Sequence, residues 1–159
     1  LITDGASCLI LTKPEIAKKY TDTPMYLIGS GQANIGNNVN NLASLTEWIP
    51  MKIAAKEAFQ TSHVTVDDVD IAELHDCFTI TEILDTEDLG FCKKGEGGKF
   101  IEQGNTEIGG KIPINPSGGL KSKGHPIGAT GCSMIDELTR QLREEAVPRE
   151  EFELEFQQR

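Results

Sequence analysis

Short β-forming runs alternate with helical periodicities along this chain, and that order restricts its fold more than any single residue does. "DGASCLILT" (residues 4–12) and "MYLIGSGQA" (25–33) combine turn residues with β-formers and predict buried strands. Pro14 is placed to open a short helix running through 17–20. From residue 46 onward Ile49, Ile53, Ala54, Ala58 and Phe59 recur on one helical face. After the turn-rich "VTVDDVD" comes a third strand, "VDIAELHD" (69–76), then a helix over 79–89 carrying Ile80, Ile83 and Leu84. Residues 90–110 are glycine-rich and charged and read as a surface loop, and "KIPIN" (111–115) reads as a short strand. The spacing of Ile127, Thr130, Met134, Leu138 and Leu142 predicts a long helix over 126–143, with these residues toward the core. Strand and helix in alternation imply an α/β fold, a sheet layered with helices.

Chemistry concentrates in two places. "AELHDCFTITEIL" (72–84) sets His75 and Cys77 two positions apart. On a strand both would face one way and Asp76 the other. A lone buried cysteine is usually inert packing. A thiol beside a histidine at the C-terminal end of a strand is different, because open α/β sheets place their ligands there. A nearby imidazolium or helix N-terminus lowers a thiol's pKa from about 8.5, making it usable in acid–base chemistry. Cys8 and Cys132 have no such partner and read as core residues, while Cys92 falls in the loop.

The second place is "NPSGGLKSKGHPIGATG" (115–131), with five glycines. Gly124 permits an unusual backbone and Pro126 pre-sets a first helical turn. His125 is thereby expected at a helix mouth, near the positive end of the macrodipole, which favours a neutral imidazole. The plainer alternative is a histidine satisfying a helix cap.

Other patterns fail. "GSGQAN" breaks the dinucleotide fingerprint at its third glycine, and "GEGGKF" lacks P-loop spacing. "NPSGG" is not a nucleophile elbow, which argues against a hydrolase serine at Ser117. His63 has polar neighbours and reads as a surface residue. The net charge of −10, without a basic patch, argues against nucleic acid, and no apolar run is long enough to span a membrane. Four cysteines without CxxC spacing argue against zinc and disulfides and for a reducing, cytoplasmic setting. The apolar start lacks a basic region and an initial Met, and reads as an interior piece of a longer chain.

"HDCF" together with "NPSGGLKSKGHPIGATG" resembles the C-terminal half of a thiolase, of the sterol-carrier-protein type and its archaeal relatives. "EDLGFCKKGEGGKF" (87–100) and "GGKIPINPSGG" (109–119) support the resemblance, which runs over residues 1–143. It implies a mixed β-sheet with helices on both faces. Residues 1–12 would end an N-terminal thiolase domain, 13–143 would form the C-terminal domain, and 144–159 an atypical tail. The implied activity is acyl transfer between coenzyme A thioesters, by Claisen condensation or thiolysis of a 3-ketoacyl-CoA. No metal and no cofactor beyond the coenzyme A thioester substrate is implied. His75 would help hold the thioester oxygen and Cys77 would move the substrate α-proton. His125 would activate the nucleophilic cysteine and donate to the oxyanion hole. Asn115, Gly118, Gly119 and Gly124 would lie along the substrate. The implied partners are acyl-CoA, the N-terminal thiolase domain and a second copy of the chain.

Two departures stand out. The family's nucleophilic cysteine lies in the half that is absent here, and its last glycine-rich hairpin has no match in "REEAVPREEFELEFQQR" (143–159). That tail, with Phe152, Leu154 and Phe156 alternating, fits a final strand, an extended helix or a frayed end. The chain is therefore expected to carry half an active site and to be inactive alone, as a domain or truncated product. The alternative is a non-catalytic module that binds a coenzyme A thioester, or docks a partner such as the small zinc-containing OB-fold protein that accompanies archaeal thiolases.

Overall fold

Prolines start the first two helices, where a missing N–H costs nothing: α1 (Pro14–Ala17) and α2 (Ile49–Ser62), each with proline in its first turn. A computed structural model describes residues 2–36 and 44–146, so Phe152, Leu154 and Phe156 lie outside the described residues. A 3-10 turn (Val66–Asp68) follows α2, closed by reciprocal Thr65–Asp68 capping bonds. Then come α3 (Thr79–Asp88), α4 (Gly97–Glu102), α5 (Gly119–Lys123) and α6 (Thr130–Leu142).

The expected mixed β-sheet does not form among the described residues. What remains is one parallel bridge between Ala72 and Ile114. In it Ala72 N–H donates to the Pro113 carbonyl at 3.0 Å, and Asn115 N–H donates to Ala72 O at 2.8 Å. The parallel relation expected of 69–76 and 111–115 survives at this single point. Residues 4–12 and 25–33 form no ladder, and their apolar side chains stand in the open, Ile10 at 89% and Leu27 at 80% exposure. A strand needs a neighbour to satisfy its N–H and C=O groups, and among the described residues neither segment has one alongside. Gly29 and Gly31 have a packing role instead: a Cβ on either would collide with the Ala58 or Ala54 carbonyl of α2.

The core is small. Ala72, Leu74, Phe91, Ile112 and Ile114 are buried together, flanked by Val66, Val69, Leu89 and Phe100. Each of the four larger side chains contributes about 1.5–3 kcal/mol on burial. Phe91 and Phe100 come from the stretch read as a surface loop. That reading is corrected: 90–110 contains α4 and supplies a core aromatic, because tight turns at Gly90 and Gly95 fold it back onto α3.

Two helices sit differently from expectation. On α3 the buried residues are Thr81, Asp85 and Thr86, while Ile80 is left exposed. The long helix begins at Thr130 and not at 126, and a turn closed on the Pro126 carbonyl precedes it. Only Thr130 is fully buried on it, and Ile127 and Leu142 are exposed. Cys8 is exposed and Cys132 partly so, which corrects their reading as core residues, and all four cysteines are free. No helix is long and apolar enough to cross a membrane among the described residues.

Candidate active site

Asn115 is the pivot of the site. Its backbone takes the left-handed conformation (φ 52), which asparagine tolerates better than most residues, and its side chain is buried. Its Oδ1 accepts from Leu74 N–H at 2.6 Å and its Nδ2 donates to Glu82 Oε2 at 3.4 Å. The side chain therefore joins residues 72–74 to α3.

From Asn115 the chain turns through Gly118 (φ 92) and Gly119 (φ 67) onto residues 73–76. Leu120 N–H donates to Asp76 Oδ1 at 2.9 Å, and a Cβ on Gly119 would run into the Asp76 carboxylate. Gly119→Ala adds that collision to a left-handed backbone and is expected to destabilise the chain by about 1–3 kcal/mol. Urea unfolding reads this directly, and an unchanged midpoint would contradict the close approach.

The loop delivers His125 against His75. Their ring centroids lie 4.8 Å apart with the planes at 76°, an edge-to-face contact across fifty residues of sequence. Burial, then the electrostatic influence of His125 close by, hold the His75 imidazole below the usual histidine value against the opposing pull of Asp76. The shift favours the neutral imidazole of His75. His125 leaves α5 through Gly124, so it follows a helix C-terminus and precedes α6 by a turn. The expected helix-mouth position is corrected accordingly.

What orients His125 is hydrogen bonding. Its N–H donates to Thr3 Oγ1 at 2.8 Å, and Thr3 N–H donates back to its carbonyl. Its Nδ1 lies 2.8 Å from Thr130 Oγ1, which donates its only proton to the Pro126 carbonyl at 3.1 Å. With the proton on Nδ1 both bonds form at once, and Nε2 is left as an acceptor. A Cβ on Gly124 would meet the Thr3 side chain.

Cys77 is exposed, and no hydrogen bond ties it to either imidazole among the described residues. The strand geometry expected to align it with His75 is interrupted, because Asp76 N–H donates to Leu74 O at 3.1 Å and turns the backbone at His75. Cys77 instead stands two residues before α3, near the positive end of that helix.

The sequence reading missed the carboxylates beneath. Asp85 on α3 is buried, and its carboxyl is pushed up to about 7 by burial and by Asp88, Asp76 and Glu82. Glu82 is also raised, by burial and then Asp76, with the Asn115 bond opposing. Acids at 82, 85 and 88, repeating every three residues along one side of a predicted helix, were the signal available. Among the described residues, no group of His, Cys, Asp or Glu is arranged to hold a metal ion. A cavity of about 480 Å³ between α2 and the end of α3 is lined by Lys52, Lys56, Phe59 and Leu89, and contains none of the site residues.

A family model described as "Thiolase C-terminal domain-like" matches residues 31–155. The chain belongs to that family. It is 47% identical to the acetyl-CoA acetyltransferase of Methanothermobacter thermautotrophicus over 149 residues, which are 94% of this chain and 39% of that protein. Rattus norvegicus sterol carrier protein 2 is 50% identical over 153 residues, covering 93% of this chain and 28% of that protein. The benzoylsuccinyl-CoA thiolase subunit BbsB of Thauera aromatica is 37% identical, covering 89% and 37%. Among solved structures the Ltp2-ChsH2(DUF35) aldolase matches with a TM-score of 0.63 at 29% identity, over 70% of this chain and 29% of that one. This thiolase C-terminal-like chain thus spans well under half the length of the curated relatives it matches.

Proposed function

We propose that this chain is the C-terminal domain of a thiolase acting on coenzyme A thioesters, in a cytoplasmic setting where its cysteines stay free. The contact of His75 with His125 carries the reading, because two imidazoles from distant segments meet in the family's two motifs. In this reaction Nε2 of His125 accepts the proton of a nucleophilic thiol supplied by the other half. His75, neutral, donates a hydrogen bond to the thioester oxygen, and Cys77 removes or returns the substrate α-proton. Glycines 118, 119 and 124 let the loop backbone come close to the thioester, and Asn115 holds that loop in place. Residues 2–12, exposed and without a ladder, fit the closing strand of a preceding domain.

The test is a chimaera in which this chain replaces the matching 149-residue segment of the Methanothermobacter enzyme. Acetoacetyl-CoA thiolysis is expected from the chimaera and none above background from the 159-residue chain alone. A folded chimaera without activity would sink the reading. So would enzyme-like turnover by the isolated chain, which lacks the nucleophile.

A second copy is the expected partner for the uncovered apolar surface. Ile10, Leu11, Leu27, Ile28 and Ile127 are each more than half exposed, a surface that favours association. Sedimentation at micromolar concentration is expected to find dimers or larger species, whereas a clean monomer argues against it. The alternative of a docking module is favoured by the name of one structural relative, an aldolase described with a second component, ChsH2(DUF35).

A further inference from the structure

We propose that Glu73 is the positioning residue for His125, drawing Ser117 and Lys123 onto one carboxylate so that the loop between them sets the two histidines in contact. Glu73 Oε1 accepts from Ser117 N–H at 3.0 Å. Its Oε2 accepts from Ser117 Oγ and from Lys123 Nζ, both at 2.9 Å. The Glu73 side chain is 1% exposed and that of Lys123 19%. The ion pair and the ring contact have the same offset: Glu73 and Lys123 each stand two residues before a histidine, His75 and His125.

The loop needs such an anchor. Gly118 and Gly124 flank α5 and Gly119 opens it, and all three take positive φ, so the loop's own backbone leaves its direction free. Thr3 and Thr130 hold the His125 backbone and ring, but neither belongs to the segment that carries His75. Among the described residues Asp76 hydrogen-bonds the loop at Leu120 N–H alone, and Asn115 ties its start to Leu74 N–H. A buried ion pair is a poor source of stability, since apolar replacements of similar shape commonly do as well. What three donors converging on one fixed carboxylate supply is geometry. The inference rests on the proposed function only in taking His125 as catalytic.

The experiment uses the 159-residue chain, whose three histidines allow each ring signal to be assigned by single substitution. In the unaltered chain, proton NMR is expected to find cross-relaxation between the His75 and His125 rings. The double variant Glu73→Gln, Lys123→Met removes both charges together. It is expected to lose that signal while contacts across the Ala72–Ile114 bridge persist. The His75 titration midpoint is expected to rise toward its ordinary value as burial and His125 repulsion relax. Lys123→Arg, which keeps the charge, is expected to retain both readouts. A folded double variant with ring contact and His75 midpoint unchanged overturns the proposal. Should the double variant not fold, Glu73→Gln alone, which keeps the side chain's shape and weakens all three bonds, is read instead, and an unchanged ring signal and His75 midpoint there overturn it as well. Because no substrate enters, an inactive chimaera with a Glu73-dependent ring contact would discard the thiolase reading and keep the clamp. An active chimaera with a Glu73-independent contact would do the reverse.

Discussion

Cys77→Ala in the chimaeric enzyme is expected to lower kcat for acetoacetyl-CoA thiolysis by about 10²–10⁴-fold, the usual span for a positioned proton-transfer group. KM should change little, because the thiol meets the substrate at the reacting carbon and contributes nothing to holding its distant parts. His125→Ala is expected to fall in the same range through a different step, the loss of the Nε2 acceptor that is present when Thr130 accepts from Nδ1. The two losses belong to one catalytic unit, so the double variant should be little worse than the poorer single one. Single-turnover and steady-state rates on matched chimaeras measure this. A Cys77→Ala chimaera within a few-fold of its parent would remove the cysteine from the acid–base role. His125→Ala read independently would then show whether the rest of the site assignment stands.

Asp85→Asn is expected to stabilise the chain at alkaline pH and to flatten its stability against pH. The folded carboxyl sits near 7 while its unfolded value is 3.8, so the folded state holds a proton that the unfolded state gives up. The stability tied to that proton is fully present below pH 3.8 and is lost as pH rises through about 7. A rise of this size corresponds to on the order of 4 kcal/mol above pH 8. Glu82, raised in the same direction, adds to the slope. Asparagine is close in shape and carries no charge to bury, so the variant should gain at pH 8.5 and change little at pH 4. Urea midpoints at the two pH values decide it: parallel losses in parent and variant would mean that Asp85 ionises without cost in the fold.

Local signals were enough to place most helices. Periodicity located α2 and α3 to within a few residues and Pro14 located α1, because intrachain hydrogen bonds and a first-turn proline are settled by neighbours in sequence. The motifs "HDCF" and "NPSGGLKSKGHPIGATG" named the family and both histidines, since those residue types at that spacing carry the chemistry wherever the loops lie.

The strands were another matter. A strand forms against another segment, and no reading of 4–12 or 25–33 by itself could supply the partner that the described residues lack. The inward face of α3 was likewise undetermined from its own residues: Ile80 looks like a core residue in sequence, yet Asn115 and Asp76 lie near the polar face that carries Thr81 and Asp85. The meeting of His75 with His125, and the buried Glu73 that gathers Ser117 and Lys123, depend on glycine turns whose direction only packing sets. Sequence by itself determined most of the helices, the family and the two histidines of the candidate chemistry, because each is written in nearby residues. Tertiary structure alone decided which side chains touch, because those contacts join positions some fifty residues apart, and their geometry follows from what each segment finds to pack against.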